Sequence, residues 1–520
     1  MKTNIDVVLV NPLSRSNRTA EETLSIGYLA SVLRLKRYTV RIIDCWLRKY
    51  EANTLVENIQ KINPSVLCIS CYRSNLIEVA KIVSLMKSVC PETHLICGGY
   101  GPTFYELDFL RIGFDVVVRG EAEHIITDLI RRLIGGMDLS VVPGITFLED
   151  GRVHRIPNKG ILMDLDDIPI PSRDETTLSI SLGNPVHLST SRGCNGHCSF
   201  CSVFSFILGQ PGNTRWRQRS IPNIVDEIQY LCDEFGATHF KIVDDSFLEP
   251  PRGEKWSHDF ENELTKKNLK IKFRTQIRAD RLTDVIATNL SKCGWFATSI
   301  GIENFSNSAL RRMKKSQTSE QNHQALEILH RNQVYTQVGL ILFDPNTTIS
   351  ELEENYEGLC RYPWITTKGI FTEMFAAEGT TFTQKLLKTG LLIKDDKNQN
   401  HSYFIKNREA RRVYCILKQW HKAHADVYDC VIDPLTAPKV MSDHGYHSVH
   451  KLSCIMLARD LLTMRLTLDH VESQSQDSDE TFVKILTEES QDLYEQLKRR
   501  IDIIYSQEGL KYTGVLNPFL

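Results

Sequence analysis

Short apolar segments recur along this sequence, each separated from the next by enough chain for one helix. I-D-V-V-L-V (5–10), T-V-R-I-I-D (39–44), V-L-C-I-S (66–70), H-L-I-C-G-G (94–99) and D-V-V-V-R-G (115–120) form a first series. Continuous apolar strands alternating with helices predict a parallel sheet covered on both faces. Ligands of such sheets bind beyond the carboxyl ends of the strands. Those ends read N-P, S-C-Y-R, G-G-Y-G and R-G-E. Glycine there lets a ligand approach the backbone; tight turns are the alternative reading. This α/β domain is expected to occupy 1–150.

Residues 151–184 are expected to link it to a second domain. A hairpin turning at Asp150-Gly151 opens that stretch, and the proline- and aspartate-rich D-L-D-D-I-P-I-P-S-R-D (164–174) should run extended over the surface. A second βα series occupies 185–380, with candidate strands at 187–191, 239–245, 272–278, 297–303, 338–343 and 371–376. Six such units predict a partial parallel barrel, (βα)6, with its chemistry at the C-terminal ends of the strands. Asp244, Asp245, Gln276, Arg278, Glu303 and Asp344 fall there. Residues 381–520 read as mostly helical, with a flexible linker at S-Q-S-Q-D-S-D-E (473–480).

Composition limits the possible partners. The net charge is −2 over 520 residues, which gives no electrostatic case for nucleic acid. No apolar run is long enough to span a bilayer, and the N-terminus lacks the pattern of a signal peptide. A cytoplasmic protein acting on a small molecule is expected.

Most of the 14 cysteines sit singly in apolar runs and read as buried hydrophobes. Cys68 and Cys71 form a C-x-x-C, but a strand there would point them to opposite faces. Only Cys194, Cys198 and Cys201 cluster on a polar loop, S-T-S-R-G-C-N-G-H-C-S-F-C-S-V (189–203). Two metal chemistries fit. Structural zinc wants a closed set of four ligands, for which His197 is the nearest candidate. A four-iron cluster held by three thiolates leaves one iron open for a substrate or cofactor.

C-N-G-H-C-S-F-C resembles the signature of the radical S-adenosylmethionine (SAM) superfamily, with Phe200 as the aromatic before the last cysteine. The resemblance implies a [4Fe-4S] cluster on Cys194, Cys198 and Cys201, SAM chelated at the open iron, and cleavage to a 5′-deoxyadenosyl radical. It extends along 185–380. Asp244-Asp245 resembles a D-D-x-F element. Gln276 and Arg278 end the third strand, and G-I-E (301–303) with L-R-R-M-K-K resembles a G-x-E pattern. Phe200, Asp244, Gln276, Arg278 and Glu303 are therefore the implied SAM contacts. The structural alternatives are a barrel-mouth salt bridge for Glu303, a helix cap for the aspartates, and an ion pair for Arg278. Asn304, Asp344 and Asn346 depart from the residues common in the family.

A Rossmann-like domain ahead of such a barrel resembles the cobalamin-binding subclass, the class B radical SAM methyltransferases. V-N-P (10–12), L-S-I-G-Y-L-A-S-V-L (24–33), I-C-G-G-Y-G-P-T (96–103) and V-V-R-G-E-A-E (117–123) carry that likeness. The D-x-H-x-x-G motif of other cobalamin enzymes is absent, so Tyr72 or Arg73 would face the cobalt. Gly98, Gly99, Thr103, Gly120 and Glu121 are the other implied cobalamin contacts. The expected reaction is methylation of an unactivated carbon of a natural-product intermediate, with flavodoxin or ferredoxin as external electron donor. The alternatives are a radical SAM dehydratase, epimerase or ring-rearranging enzyme with an auxiliary or vestigial cobalamin domain, and a zinc-stabilised scaffold. In the epimerase reading a cysteine would return hydrogen to the substrate; Cys232, Cys293 and Cys360 all fall in or near predicted helices. Trp420, His421, His424 and Tyr428 read as a half-buried helix, and M-S-D-H-G-Y-H-S-V-H (441–450) as a polar loop with a helix cap at Ser448.

Overall fold

The computed structural model describes residues 5–13, 21–159, 162–208, 215–377, 379–394, 401–436, 439–473 and 478–510. The chain divides into two compact units. The first is Met1–Ser191 with Ser205–Ala237, the second Arg192–Phe204 with Thr238–Leu520.

In the first unit β1 (Val7–Asn11), α1 (Leu24–Leu35), β2 (Val40–Asp44), α2 (Ala52–Ile62), β3 (Val66–Ser70), α3 (Leu76–Val89), β4 (His94–Gly98), β5 (Val116–Val118) and α4 (Ile126–Ile134) alternate. The strands pair in parallel in the order β2-β1-β3-β4-β5. Val8 and Val10 of β1 enter one core, Val7 and Leu9 the other. Helices cover both faces, so the strand is apolar at every position rather than at alternate ones. Cys68 and Cys71 likewise fall in opposite cores. The order reverses between β1 and β3, which places a ligand crevice beyond their carboxyl ends.

The expected hairpin forms as β6 (Ile145–Glu149) and β7 (Arg152–Arg155), with both turn residues at positive φ. It extends the same sheet by antiparallel pairing onto β5. The proline-rich stretch is extended, but it is not a free surface run. Leu165 and Ile168 pack with Leu24 and Tyr28 of α1, and the Ser172 N–H donates to the Gly27 carbonyl at 3.0 Å. Next to them Arg173 lies buried between Glu22 (3.0 Å) and Glu227 (2.6 Å). β8 (Val186–Leu188) comes next, and Glu227 sits on α5 (Ile221–Phe235), where it also binds Arg219.

The second unit holds β9 (His239–Ile242), β10 (Lys272–Arg278), β11 (Trp295–Glu303), β12 (Tyr335–Leu340) and β13 (Thr366–Thr367), paired in parallel in that order. Helices α6 (Glu254–Lys266), α7 (Asp284–Lys292), α8 (Ser319–Arg331) and α9 (Ile349–Cys360) separate them. One expectation shifts here. The last strand lies at 366–367, and 371–376 contributes only an isolated bridge from Glu373 to Phe343.

The C-terminal stretch is helical as expected: α10 (Thr381–Lys388), α11 (Arg408–Ala423), α12 (Ala425–Thr436), α13 (Asp443–Glu472) and α14 (Asp479–Gln507). Of the linker expected at 473–480, residues 474–477 lie outside the described residues. Ser442, not Ser448, caps α13, so His444, His447 and His450 are helical rather than in a loop. The reason is tertiary: the Ser442 side chain accepts the Gly445 N–H, and its own N–H donates to Glu508 of the segment after α14 at 2.8 Å. No helix among the described residues is long and apolar enough to cross a membrane.

Candidate functional site

The cysteine loop is held by the barrel strands it precedes. Gly193, at φ +93°, donates its N–H to Asp245 Oδ2 at 3.0 Å, just beyond β9. The Ser199 N–H donates to the Met313 carbonyl at 2.8 Å, and the Ser199 carbonyl accepts from Phe382 N–H at 2.9 Å. The sulfurs meet donors. The Gly196 N–H points at Cys194 Sγ (3.2 Å), and Arg278 Nη1 lies 3.9 Å from Cys198 Sγ. N–H groups of Phe204 and Val203 face the Cys201 sulfur. Burial pushes the Cys194 thiol up to about 12, and Glu249, which accepts its hydrogen at 3.3 Å, adds to the shift. Backbone donors and cations facing sulfur fit thiolate ligands of an iron–sulfur cluster, whose charge they offset. Among the described residues, no three His, Cys, Asp or Glu side chains converge as they would on a single ion.

Two cations stand beside the loop. Arg278 ends β10 and is fixed by Asp280 (2.9 Å) and the Lys315 carbonyl (2.9 Å). Lys315, fully enclosed, reaches Glu303 Oε1 at 2.8 Å. Burial opposes the lysine charge, but Glu303 and the nearby Cys198 outweigh it and raise its pKa. Glu303 itself sits at φ +62°, a left-handed backbone rare outside glycine. The G-I-E spacing has a steric reason: a Cβ on Gly301 would lie 2.6 Å from Lys315 Nζ and 2.7 Å from Glu303 Oε1.

The other barrel residues separate. Gln276 is exposed at the end of β10. Asp244 is buried and faces Arg252 at 3.5 Å; the aspartate that meets the cysteine loop is its neighbour Asp245. Phe200 packs against an apolar cluster containing Met313, Met374 and Phe382. Glu249, Asp280 and Lys315 were not found from sequence. Only the K-K of L-R-R-M-K-K hinted at one of them, and nothing local says which lysine turns inward.

In the first unit, the turns after β3, β4 and β5 interlock. The Cys71 N–H donates to Gly98 O (2.8 Å), Gly101 N–H to Cys71 O (3.0 Å), Thr103 Oγ1 to Gly99 O (2.7 Å) and Gly120 N–H to Thr103 Oγ1 (3.0 Å). Gly99 is at φ +104°, and a Cβ there would lie 2.9 Å from Cys71 O. Tyr72, half exposed, stacks on Tyr100, which stacks in turn on Phe206 at 4.6 Å. Tyr72 and Tyr100 thus form an aromatic shelf beside the glycine turns, a surface that fits the face of a broad ring such as the corrin of cobalamin. Arg73 instead lies over the Tyr105 ring and pairs with Asp108 (3.3 Å), and Glu121 is turned to Arg217.

The C-terminal aromatic residues are fully buried rather than half-buried, and they span α11 and α12. Ser490 binds both Trp420 Nε1 (3.0 Å) and His424 Nε2 (2.9 Å), while the Tyr428 hydroxyl bonds Asp460 and Tyr494. The His421 ring lies 3.7 Å from that of Phe371. Cys232 lies within α5, Cys293 caps α7 and Cys360 ends α9, all as expected for helical positions.

Comparison with known proteins gives two domain matches: "B12 binding domain" over residues 16–130 and "Radical SAM superfamily" over 188–359. An uncharacterized methyltransferase, PH0819, of Pyrococcus horikoshii is 26% identical over 340 residues, covering 64% of this chain and 72% of that protein. The anaerobic magnesium-protoporphyrin IX monomethyl ester cyclase of Rubrivivax gelatinosus is 27% identical over 352 residues, 64% of this chain and 60% of its own length. Among solved structures, the cobalamin-dependent SAM radical enzyme OxsB, with aqua-cobalamin and SAM bound, aligns over 98% of this chain and 82% of its own. The TM-score is 0.75 at 20% identity, a likeness of fold.

Proposed function

The chain belongs to the cobalamin-dependent radical SAM enzymes, and on that premise we propose that it methylates an unactivated carbon of a small molecule, a natural-product intermediate, in the cytoplasm. Its cofactors are a [4Fe-4S] cluster, SAM and cobalamin. When bound, these supply the electron that cleaves SAM to a 5′-deoxyadenosyl radical, and the methyl group. The protein's own part is to hold, orient and exclude water.

One observation carries the reading: three cysteines on one loop, facing backbone donors and Arg278, in a chain that also carries a B12-binding domain. Cys194, Cys198 and Cys201 would hold the cluster. Glu303, paired with Lys315, would accept hydrogen bonds from SAM, and Gln276 would contribute from the open end of its strand. Phe200 and Asp244 would act by fixing the loop and the turn after β9. Tyr72, Gly98, Gly99, Thr103 and Gly120 would form the cobalamin shelf, with Arg73 and Glu121 bracing it through Asp108 and Arg217.

The test is anaerobic reconstitution with iron, sulfide and cobalamin. Stoichiometric cobalamin with a base-off absorption spectrum, and label from methyl-labelled SAM in a product, are the expected results. Cluster formation without cobalamin would sink the methyltransferase reading. The second reading, a ring-forming enzyme, is favoured by the cyclase relative; it predicts 5′-deoxyadenosine without methylated product.

A further inference from the structure

The lysine next to the enclosed Lys315 faces the other way. Lys314, at φ +55°, lines a cleft of about 210 Å3 together with Lys385 and Lys406. All three lysines are exposed. The carboxylate in the lining, Asp344, is buried and shares Arg312 (2.8 Å) with Glu351, so the exposed charges on the rim are the three ammonium groups, in a chain whose net charge is −2. Met374, Phe382 and Leu386 give the cleft an apolar floor.

The cleft also touches the cysteine loop. Ser199, between Cys198 and Cys201, is one of its lining residues. Its backbone is bonded to Met313, next to Lys314, and to Phe382, on the helix that carries Lys385. Few covalent and hydrogen bonds therefore separate this surface from the sulfurs.

We propose that this cleft is the docking surface of an acidic, FMN-bearing electron-donor protein, which reduces the cluster across Ser199. The proposal rests on the cluster assignment above. An apolar floor ringed by ammonium groups complements the apolar edge of a flavin ringed by carboxylates, and opposite charge speeds such encounters. One electron leaves the flavin hydroquinone, which becomes the semiquinone, and takes the cluster from the 2+ to the 1+ state. No bond to the chain is made or broken.

The test compares the full chain with the K314E/K385E/K406E variant, and with K385E/K406E in case the strained position 314 does not tolerate the change. Binding of flavodoxin is measured at low and high salt, before and after cluster loading. SAM cleavage is driven in parallel by flavodoxin and by dithionite, which needs no docking site. Both variants are expected to bind flavodoxin at least tenfold more weakly, to lose most of the salt dependence, and to keep dithionite-driven cleavage. Unchanged flavodoxin binding in both variants would overturn the proposal. Absence of dithionite-driven cleavage in the unaltered protein would instead indict the cluster assignment, and the binding comparison would still read out.

Discussion

Lys315 shows how one side chain holds a strained neighbour. It is nearly inaccessible and ion-paired with Glu303, whose backbone is left-handed. Removing one partner of a buried pair leaves the other charge uncompensated, at a cost of about 3–5 kcal/mol. Lys315→Met should lower stability in chemical denaturation by about 3 kcal/mol without changing the slope, and adding Glu303→Gln should recover part of the loss. A loss in the double variant as large as the sum of the two singles would show that the pair is not coupled. At this scale the sequence was readable where chemistry is local. The spacing of Cys194, Cys198 and Cys201 and the G-I-E turn could be seen in a few residues. Glu249 and Lys315 could not, because what makes them part of the site is the direction in which a loop from a distant strand turns them.

Elements were legible where a period repeats, and less so where a single residue anchors them. The strands of the first unit track the apolar runs closely, since burial on both faces leaves no polar position to confuse the pattern. The 164–174 stretch looked like surface because its composition is polar, yet Arg173 is the inner partner of Glu22 and Glu227. Arg173→Ala should cost about 3–5 kcal/mol, seen as a lowered unfolding midpoint; a change under about 1 kcal/mol would mean the network is solvated. Helices α11 to α14 carry a titration prediction. Burial raises Asp460 from 3.8 to about 7 and lowers His424 from 6.5 to about 4. A carboxylate raised on folding stabilises most below pH 4, and that stabilisation is lost as pH climbs to about 7. A histidine lowered on folding stabilises above pH 6.5, and that contribution is lost as pH falls to about 4. Between pH 4 and 6.5 the two oppose. His424→Gln should therefore expose a stability that falls with rising pH, and Asp460→Asn one that rises. Parallel profiles in the two variants would refute the assignment.

On the scale of the whole molecule, the two regions proposed to hold cofactors should respond to them separately, since the cysteines and the β3–β5 turns belong to different compact units. Cys198→Ser should lose most of its iron and the cluster's visible absorbance, yet still bind cobalamin. At a hundredfold excess over its dissociation constant, cobalamin should stabilise that variant by about 2.7 kcal/mol, read as a higher melting temperature. Loss of cobalamin binding along with iron would show that the sites depend on one another.

The path of the chain has a consequence for inheritance. Residues 192–204, which carry the cysteines, belong to the second unit, but the chain then returns to the first over 205–237. No single cut yields both units whole: a break near 191 strips the first unit of α5, and with it Glu227, the partner of Arg173. A gene cut at that one seam would part Arg173 from Glu227. Recombination there should be tolerated only where the incoming segment again presents a carboxylate to Arg173, so the residue at 227 should be inherited with the first unit.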